Sequence, residues 1–188
     1  LRHAANTRVG LEGASNHLVS EALYLSDPEG NGIEIYRDRS RPEWPRLDGG
    51  RIKMATERLD LDALLRDAEP QAYAGMPDGT VMGHVHLRVG DVQQAEGFYR
   101  DALGFEVMVH YPGASFMATG GYHHHIAANT WHSRGAGSRR DNEAGLSSFE
   151  LVARGAEAHA ALSRRMAAAG GDAGSVVDPW GNRITLRP

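Results

Sequence analysis

In MGHVHLRV (82–89), Val85, Leu87 and Val89 fall on one side of the chain and His84, His86 and Arg88 on the other. Period-two alternation marks a strand with one buried face. The period then changes. In GDVQQAEGFYRDALG (90–104), Val92, Ala95, Phe98, Tyr99 and Ala102 recur at helical spacing, with Asp91 placed to cap the start and Gly104 the end. Three strand-like runs follow, FEVMVHY (105–111), ASFMATG (114–120) and HHHIAANTW (123–131), so the pattern predicts β-α-β-β-β. A similar unit opens at LSSFELVAR (146–154) and runs through an alanine-rich helix over 156–169, closed by Gly170 and Gly171.

The chain also repeats itself. DPEGNGIEIY (27–36) and DPWGNRITLR (178–187) share Asp-Pro-x-Gly-Asn-x-Ile, a tight turn feeding a strand, as if one module ended twice. The copies differ where it matters: Glu34 in the first is Thr185 in the second. The opening LRHAANTRVGLEGA reads as the end of a helix with a glycine-bearing exit, so a segment upstream of Leu1 is expected. Residues 38–81, with Pro42, Pro45, Pro70, Pro77 and Gly49-Gly50, read as a connector holding a short helix near 60–69. The expected organisation is the C-terminal part of a βαβββ module over 1–37, the connector over 38–81, a βαβββ module over 82–133 and a final module over 134–188.

Composition narrows the chemistry. The 188 residues carry a net charge of −4, and basic residues such as Arg139-Arg140 and Arg164-Arg165 come in pairs rather than a stripe, which leaves no nucleic-acid footprint. No apolar run reaches the ~20 residues of a membrane helix. There is no cysteine, so a metal would need histidine and carboxylate ligands; the lack also fits a cytoplasmic protein.

Ten histidines are present. His84 and His86 share the polar face of one strand, which on residue type alone is either solvated or ligating. Glu34 is the only acid within GIEIY and alternates with Ile33 and Ile35, so its carboxylate leaves the apolar layer for solvent or for a metal. In the run 123–125, alternation groups His124 with Ile126 and Ala128, and His123 with His125 and Ala127. Hydrophobicity sends Ile126 to the core and so favours His125 as pocket-facing.

GHVHLRVGDVQQAEGFYRDALGF together with the repeated DPxGNxI resembles the vicinal oxygen chelate superfamily, which includes glyoxalase I, bleomycin-resistance proteins and extradiol dioxygenases. GGYHHHIAANTW and NHLVSEALYLSDPEGNGIEIY are narrower and resemble bacterial catechol 2,3-dioxygenases. The resemblance implies an α+β fold of βαβββ modules pairing into U-shaped mixed sheets, with the N-terminal module incomplete. It implies His84 and Glu34 as metal ligands, with a third ligand, a histidine, upstream of Leu1. It implies His124, His17 and Tyr24 as catalytic residues, and His86 and His125 in the substrate pocket. Phe116, Met117 and Trp131 are expected to shape selectivity for the ring.

Ser148 and Thr185 stand where a metal histidine and carboxylate would be, so the final module is expected to lack metal ligands. Glu34 precedes His84, which implies that the module ending at residue 36 pairs with the module over 82–131. The implied activity is extradiol cleavage of catechol or a substituted catechol by O₂ at a non-haem Fe(II), with Mn(II) as the alternative metal. The implied partners are that small molecule, O₂ and further copies of the chain, with neither nucleic acid nor membrane. Two other readings stay open: a metal-free small-molecule-binding protein, and a glyoxalase-type metalloenzyme. Metal content and oxygen uptake separate the three.

Overall fold

The computed structural model describes residues 1–68, 72–140, 142–172 and 174–187; Glu69, Pro70 and Gln71 of the expected connector lie outside them. The chain divides into two compact units, Leu1–Met82 and Gly83–Pro188. The architecture is mixed α+β, with one sheet in the first unit and two in the second among the described residues.

The first unit starts with a short helix, α1 (Arg2–Thr7). Its sheet holds β1 (Gly13–Asn16), β2 (Ser20–Ser26), β3 (Gly32–Asp38) and β4 (Glu57–Arg58) in the order β3-β2-β1-β4, all antiparallel. β4 comes from the stretch that reads as a connector and completes the edge beside β1. The helix expected near 60–69 is α2 (Leu61–Asp67), whose cap Asp60 accepts from the Ala63 amide.

The β2–β3 turn is built by Asp27. Its carboxylate accepts from the amides of Glu29 and Asn31 and from the Asn31 side chain, and Gly30 takes the positive φ of 84° that the turn needs. This turn sets the register of the hairpin and places Tyr24 directly opposite Glu34.

One expectation is inverted on β3. Ile33 and Ile35 are exposed, at 42% and 39%, while Glu34 between them is half-buried. β3 is an edge strand, and on its isoleucine side Arg37 reaches Asp67 of α2 at 4.0 Å while Ile33 and Ile35 stay open to solvent. The side that faces Tyr24 is therefore the more covered one.

The second unit opens with the predicted module. β5 (Val85–Arg88), α3 (Val92–Leu103), β6 (Glu106–Tyr111), β7 (Ala114–Ala118) and β8 (Ile126–Asn129) give a sheet ordered β5-β8-β7-β6. First and last strands run parallel and the other pairs antiparallel. Asp91 caps α3 through the Gln94 amide and Gly104 ends it. β9 (Ser148–Val152), α4 (Ala156–Ala168), β10 (Ser175–Val177) and β11 (Arg183–Arg187) follow, with β9 and β11 parallel. This last module has three strands among the described residues, one fewer than the module before it. One core joins the two modules, with Leu87, Val89, Tyr99, Ile126, Met166 and Ile184 at its centre. Met117, expected to line a pocket, belongs to this core at 1% exposure.

The second copy of the repeat is buried where the first is exposed. Asp178 accepts from the amides of Trp180 and Asn182, from the Asn182 side chain, and at 2.9 Å from the Tyr99 hydroxyl of α3. No described helix of the second unit is long and apolar enough to cross a membrane, and the same holds for the first.

Gly90, between β5 and α3, is a point of close backbone approach. A Cβ there would lie 2.0 Å from the Ala136 carbonyl oxygen, beside the bond from the Gly135 amide to the Gly90 carbonyl. Gly90→Ala is expected to destabilise the second unit by at least about 2 kcal/mol in urea unfolding, because the obstacle is main chain and cannot rotate away.

Candidate functional site

Within the first unit, three of the expected site residues meet in a line. His17 Nε2 lies 2.6 Å from the Tyr24 hydroxyl, which donates to Glu34 Oε1 at 3.1 Å. At the other end His17 Nδ1 is 2.8 Å from the Ala55 carbonyl oxygen, and the Ala55 amide in turn donates to the His17 carbonyl. The loop carrying His17 is tightly held. Its amide donates to the Ser20 carbonyl, and Asn16 Oδ1 accepts from the Leu18 amide. Leu18 adopts φ 70°, a left-handed conformation that is costly for a side chain branched beyond Cβ.

The hydrogens along this line can be counted. A carbonyl only accepts, so His17 Nδ1 carries a hydrogen and Nε2 faces the phenol. The phenol has one hydrogen to give. If it goes to Glu34, Nε2 must be protonated to reach the phenol oxygen; if it goes to Nε2, Glu34 must hold the proton. Tyr24 thus bridges His17 and Glu34 and can turn its one hydrogen to either. Burial first, then the Glu34 charge and its hydrogen bond, push the Tyr24 phenol well above its ordinary ionisation range, so it stays a neutral hydroxyl.

Within the second unit, His84 and His124 lie with ring centroids 4.3 Å apart, and Phe116 stands edge-on to His124 at 5.0 Å. His124 is joined to His123 by an Nδ1···Nδ1 contact of 2.9 Å, so one ring donates and the other accepts. Both rings are buried. Neighbouring residues of a regular strand point to opposite faces, so this pair cannot belong to one, and the run expected over 123–131 becomes a strand only at Ile126. His123, which the sequence reading did not single out, thereby orients His124. The adjacency of the two histidines was the available signal.

His125 goes elsewhere. It stacks on Tyr122 at 4.8 Å, tilts against core Phe105 at 6.2 Å and accepts from the Thr119 amide. His86 faces Phe116 and Trp131, at 6.1 and 5.7 Å. The Trp131 amide donates to Asn129 Oδ1, which turns the Asn129 NH₂ toward His86 Nε2 at 2.8 Å. His86 Nε2 therefore accepts, and the ring carries its hydrogen on Nδ1.

Imidazole and carboxylate donors of this kind suit a divalent iron or manganese ion. Among the described residues, no three His, Asp or Glu side chains converge in a geometry that holds a metal. His84 in the second unit and Glu34 in the first are the donors on which the sequence expectation rests.

The family model for the glyoxalase/bleomycin resistance protein/dioxygenase superfamily matches residues 81–186. A catechol-2,3-dioxygenase of Bacillus subtilis (strain 168) is 45% identical over 142 residues, covering 74% of this chain and 50% of the relative, so the chain spans half of that protein's length. Among solved structures, a lactoylglutathione lyase from Agrobacterium tumefaciens aligns over 59% of this chain and 94% of its own, at 21% identity and TM-score 0.42. A 2,2',3-trihydroxybiphenyl 1,2-dioxygenase from Sphingomonas wittichii strain RW1 aligns over 99% of this chain and 64% of its own, at 13% identity and TM-score 0.34. By the family match over more than half its length, the chain belongs to the glyoxalase/bleomycin resistance protein/dioxygenase superfamily.

Proposed function

We propose that the protein is an extradiol ring-cleaving dioxygenase that opens catechol or a substituted catechol with O₂, using iron(II). The hydrogen-bonded line His17–Tyr24–Glu34 carries this reading, because it couples a carboxylate to an imidazole through a hydroxyl that passes protons. Similarity to the Bacillus subtilis catechol-2,3-dioxygenase supports it.

His84 and Glu34 are the proposed metal ligands, with manganese as the alternative ion. When bound, the metal supplies open positions at which the two diol oxygens and dioxygen are brought together. The other steps belong to the chain's own groups. His17 Nε2 accepts a diol proton, directly or through the Tyr24 hydroxyl as that hydroxyl gives up its own proton, and returns it as the ring opens. His124, with Nδ1 engaged by His123, exchanges a proton through Nε2. His86, Phe116 and Trp131 present an aromatic wall to a flat ring.

The test is anaerobic loading with Fe(II), followed by catechol and oxygen. The expected result is oxygen uptake at one O₂ per catechol, with a ring-opened hydroxy-semialdehyde as product. Iron binding without uptake for any diol would overturn the dioxygenase reading in favour of another metalloenzyme. Failure to retain any divalent metal would overturn it in favour of a binding protein.

A further inference from the structure

A cleft of about 450 Å³ in the second unit lies outside the machinery described above. Arg88, Arg139, Arg140, Glu143, Trp180 and Asn182 line it. Its charges do not cancel. Arg140 is held by Glu143 through two guanidinium nitrogens. Arg139 gives its donors to the carbonyl oxygens of Leu146 and Gly181, which satisfy hydrogen bonds and neutralise no charge. Arg88 makes no hydrogen bond or ion pair with any described residue. Among the described residues, three arginines against one glutamate leave two positive charges in excess, in a chain whose net charge is −4.

Arg88 ties this cleft to the strand of candidate site residues. It is the third polar position on the face of β5 that begins with His84 and His86, whereas Leu87 and Val89 point into the core. Alternate residues of a strand stand ~7 Å apart. Arg88 thus stands one such step from His86 and two, ~14 Å, from His84 on the same face. A guanidinium with no carboxylate partner among the described residues matches a carboxylate on the ligand by paired, charge-assisted hydrogen bonds.

We propose that this cleft receives an anionic substituent of the substrate, with Arg88 as its ionic partner, so that the ring compound taken by this protein carries a carboxylate. The assignment rests on the dioxygenase reading for the ring and on the cleft alone for the carboxylate. The probes are catechol, 3,4-dihydroxybenzoate, benzoate and inorganic phosphate, titrated calorimetrically without oxygen into the iron-loaded chain and its Arg88→Gln and Arg88→Lys variants.

Wild type is expected to prefer dihydroxybenzoate to catechol. Arg88→Gln should reduce that preference roughly tenfold or more, and Arg88→Lys should keep part of it. Benzoate, which has no diol, should bind weakly and lose binding in Arg88→Gln. An unchanged preference in Arg88→Gln overturns the proposal, and so does phosphate binding as tightly as benzoate, which would make the cleft a site for free anions. Arg88-dependent benzoate binding with no response to either diol would sink the dioxygenase reading and leave the carboxylate site standing.

Discussion

Glu34→Gln is expected to abolish ring cleavage, lowering kcat by about 100-fold or more, and to lower the iron retained per chain. Glutamine keeps the length of the side chain and an oxygen able to accept from the Tyr24 hydroxyl, so the β2–β3 pairing of Tyr24 with Glu34 should survive. What disappears is the negative charge. The variant cannot hold the second proton position at the end of the His17–Tyr24 line, and it loses the carboxylate proposed as a metal ligand. Two independent readouts check this: oxygen consumption with catechol, and iron content after desalting. Full activity with full iron content would remove Glu34 from the proposed site. A normal unfolding curve would show that the loss is chemical, as expected for a half-buried residue on an edge strand.

Asp178→Ala should unfold the second unit more readily, by about 3–5 kcal/mol in urea denaturation. The carboxylate takes four hydrogen bonds in a position only 4% exposed, two of them from main-chain amides. Removing it orphans those amides and the Tyr99 hydroxyl together. Asp27→Ala, in the exposed copy of the same turn, should cost less, because water can replace the lost acceptor. The buried pair also sets an alkaline limit. Burial, with the Asp178 charge and hydrogen bond added, raises the Tyr99 phenol far above its unfolded value near 10. The neutral phenol therefore supports the fold fully below pH ~10, and that support is lost progressively above it as the unfolded chain ionises. Asp178→Ala should reduce this alkaline sensitivity only in part, because the burial of Tyr99, its larger cause, remains; unfolding measured from pH 8 to 11 would show it.

Alternation and caps were enough to read β5 and α3, because both have one face in the core and end signals made of local hydrogen bonds. The same logic failed at 123–125. There His123 and His124 meet through their rings ahead of the ladder, which takes up only at His125, whose amide donates to Met117 and whose carbonyl accepts from Val85, so period two has no hold on the first two. It failed on β3 for a different reason. Ile33 and Ile35 look like core residues, yet hydrophobicity says nothing about what lies across an edge strand. The site showed the same division. The residue types His17, Tyr24 and Glu34 were visible, and the DPEGN turn forecast the hairpin that pairs two of them. The clamp by the Ala55 carbonyl was not, because it comes from a backbone atom in a stretch without periodicity. Asn129 was equally hidden: its role depends on Trp131 orienting its amide.

The parallel pairing of β5 with β8 has a consequence for the order in which the second unit can assemble. Val85 finds its partner Ile126 only after the helix and both intervening strands have been made. β9 likewise waits for β11. During synthesis, then, the strand bearing His84, His86 and Arg88 leaves the ribosome with its pairing edge open and stays so until the end of its module emerges. Local helix and hairpin contacts come early, and the non-local strand closes the sheet late. The surface that presents these side chains is thus among the last parts of the module to exist.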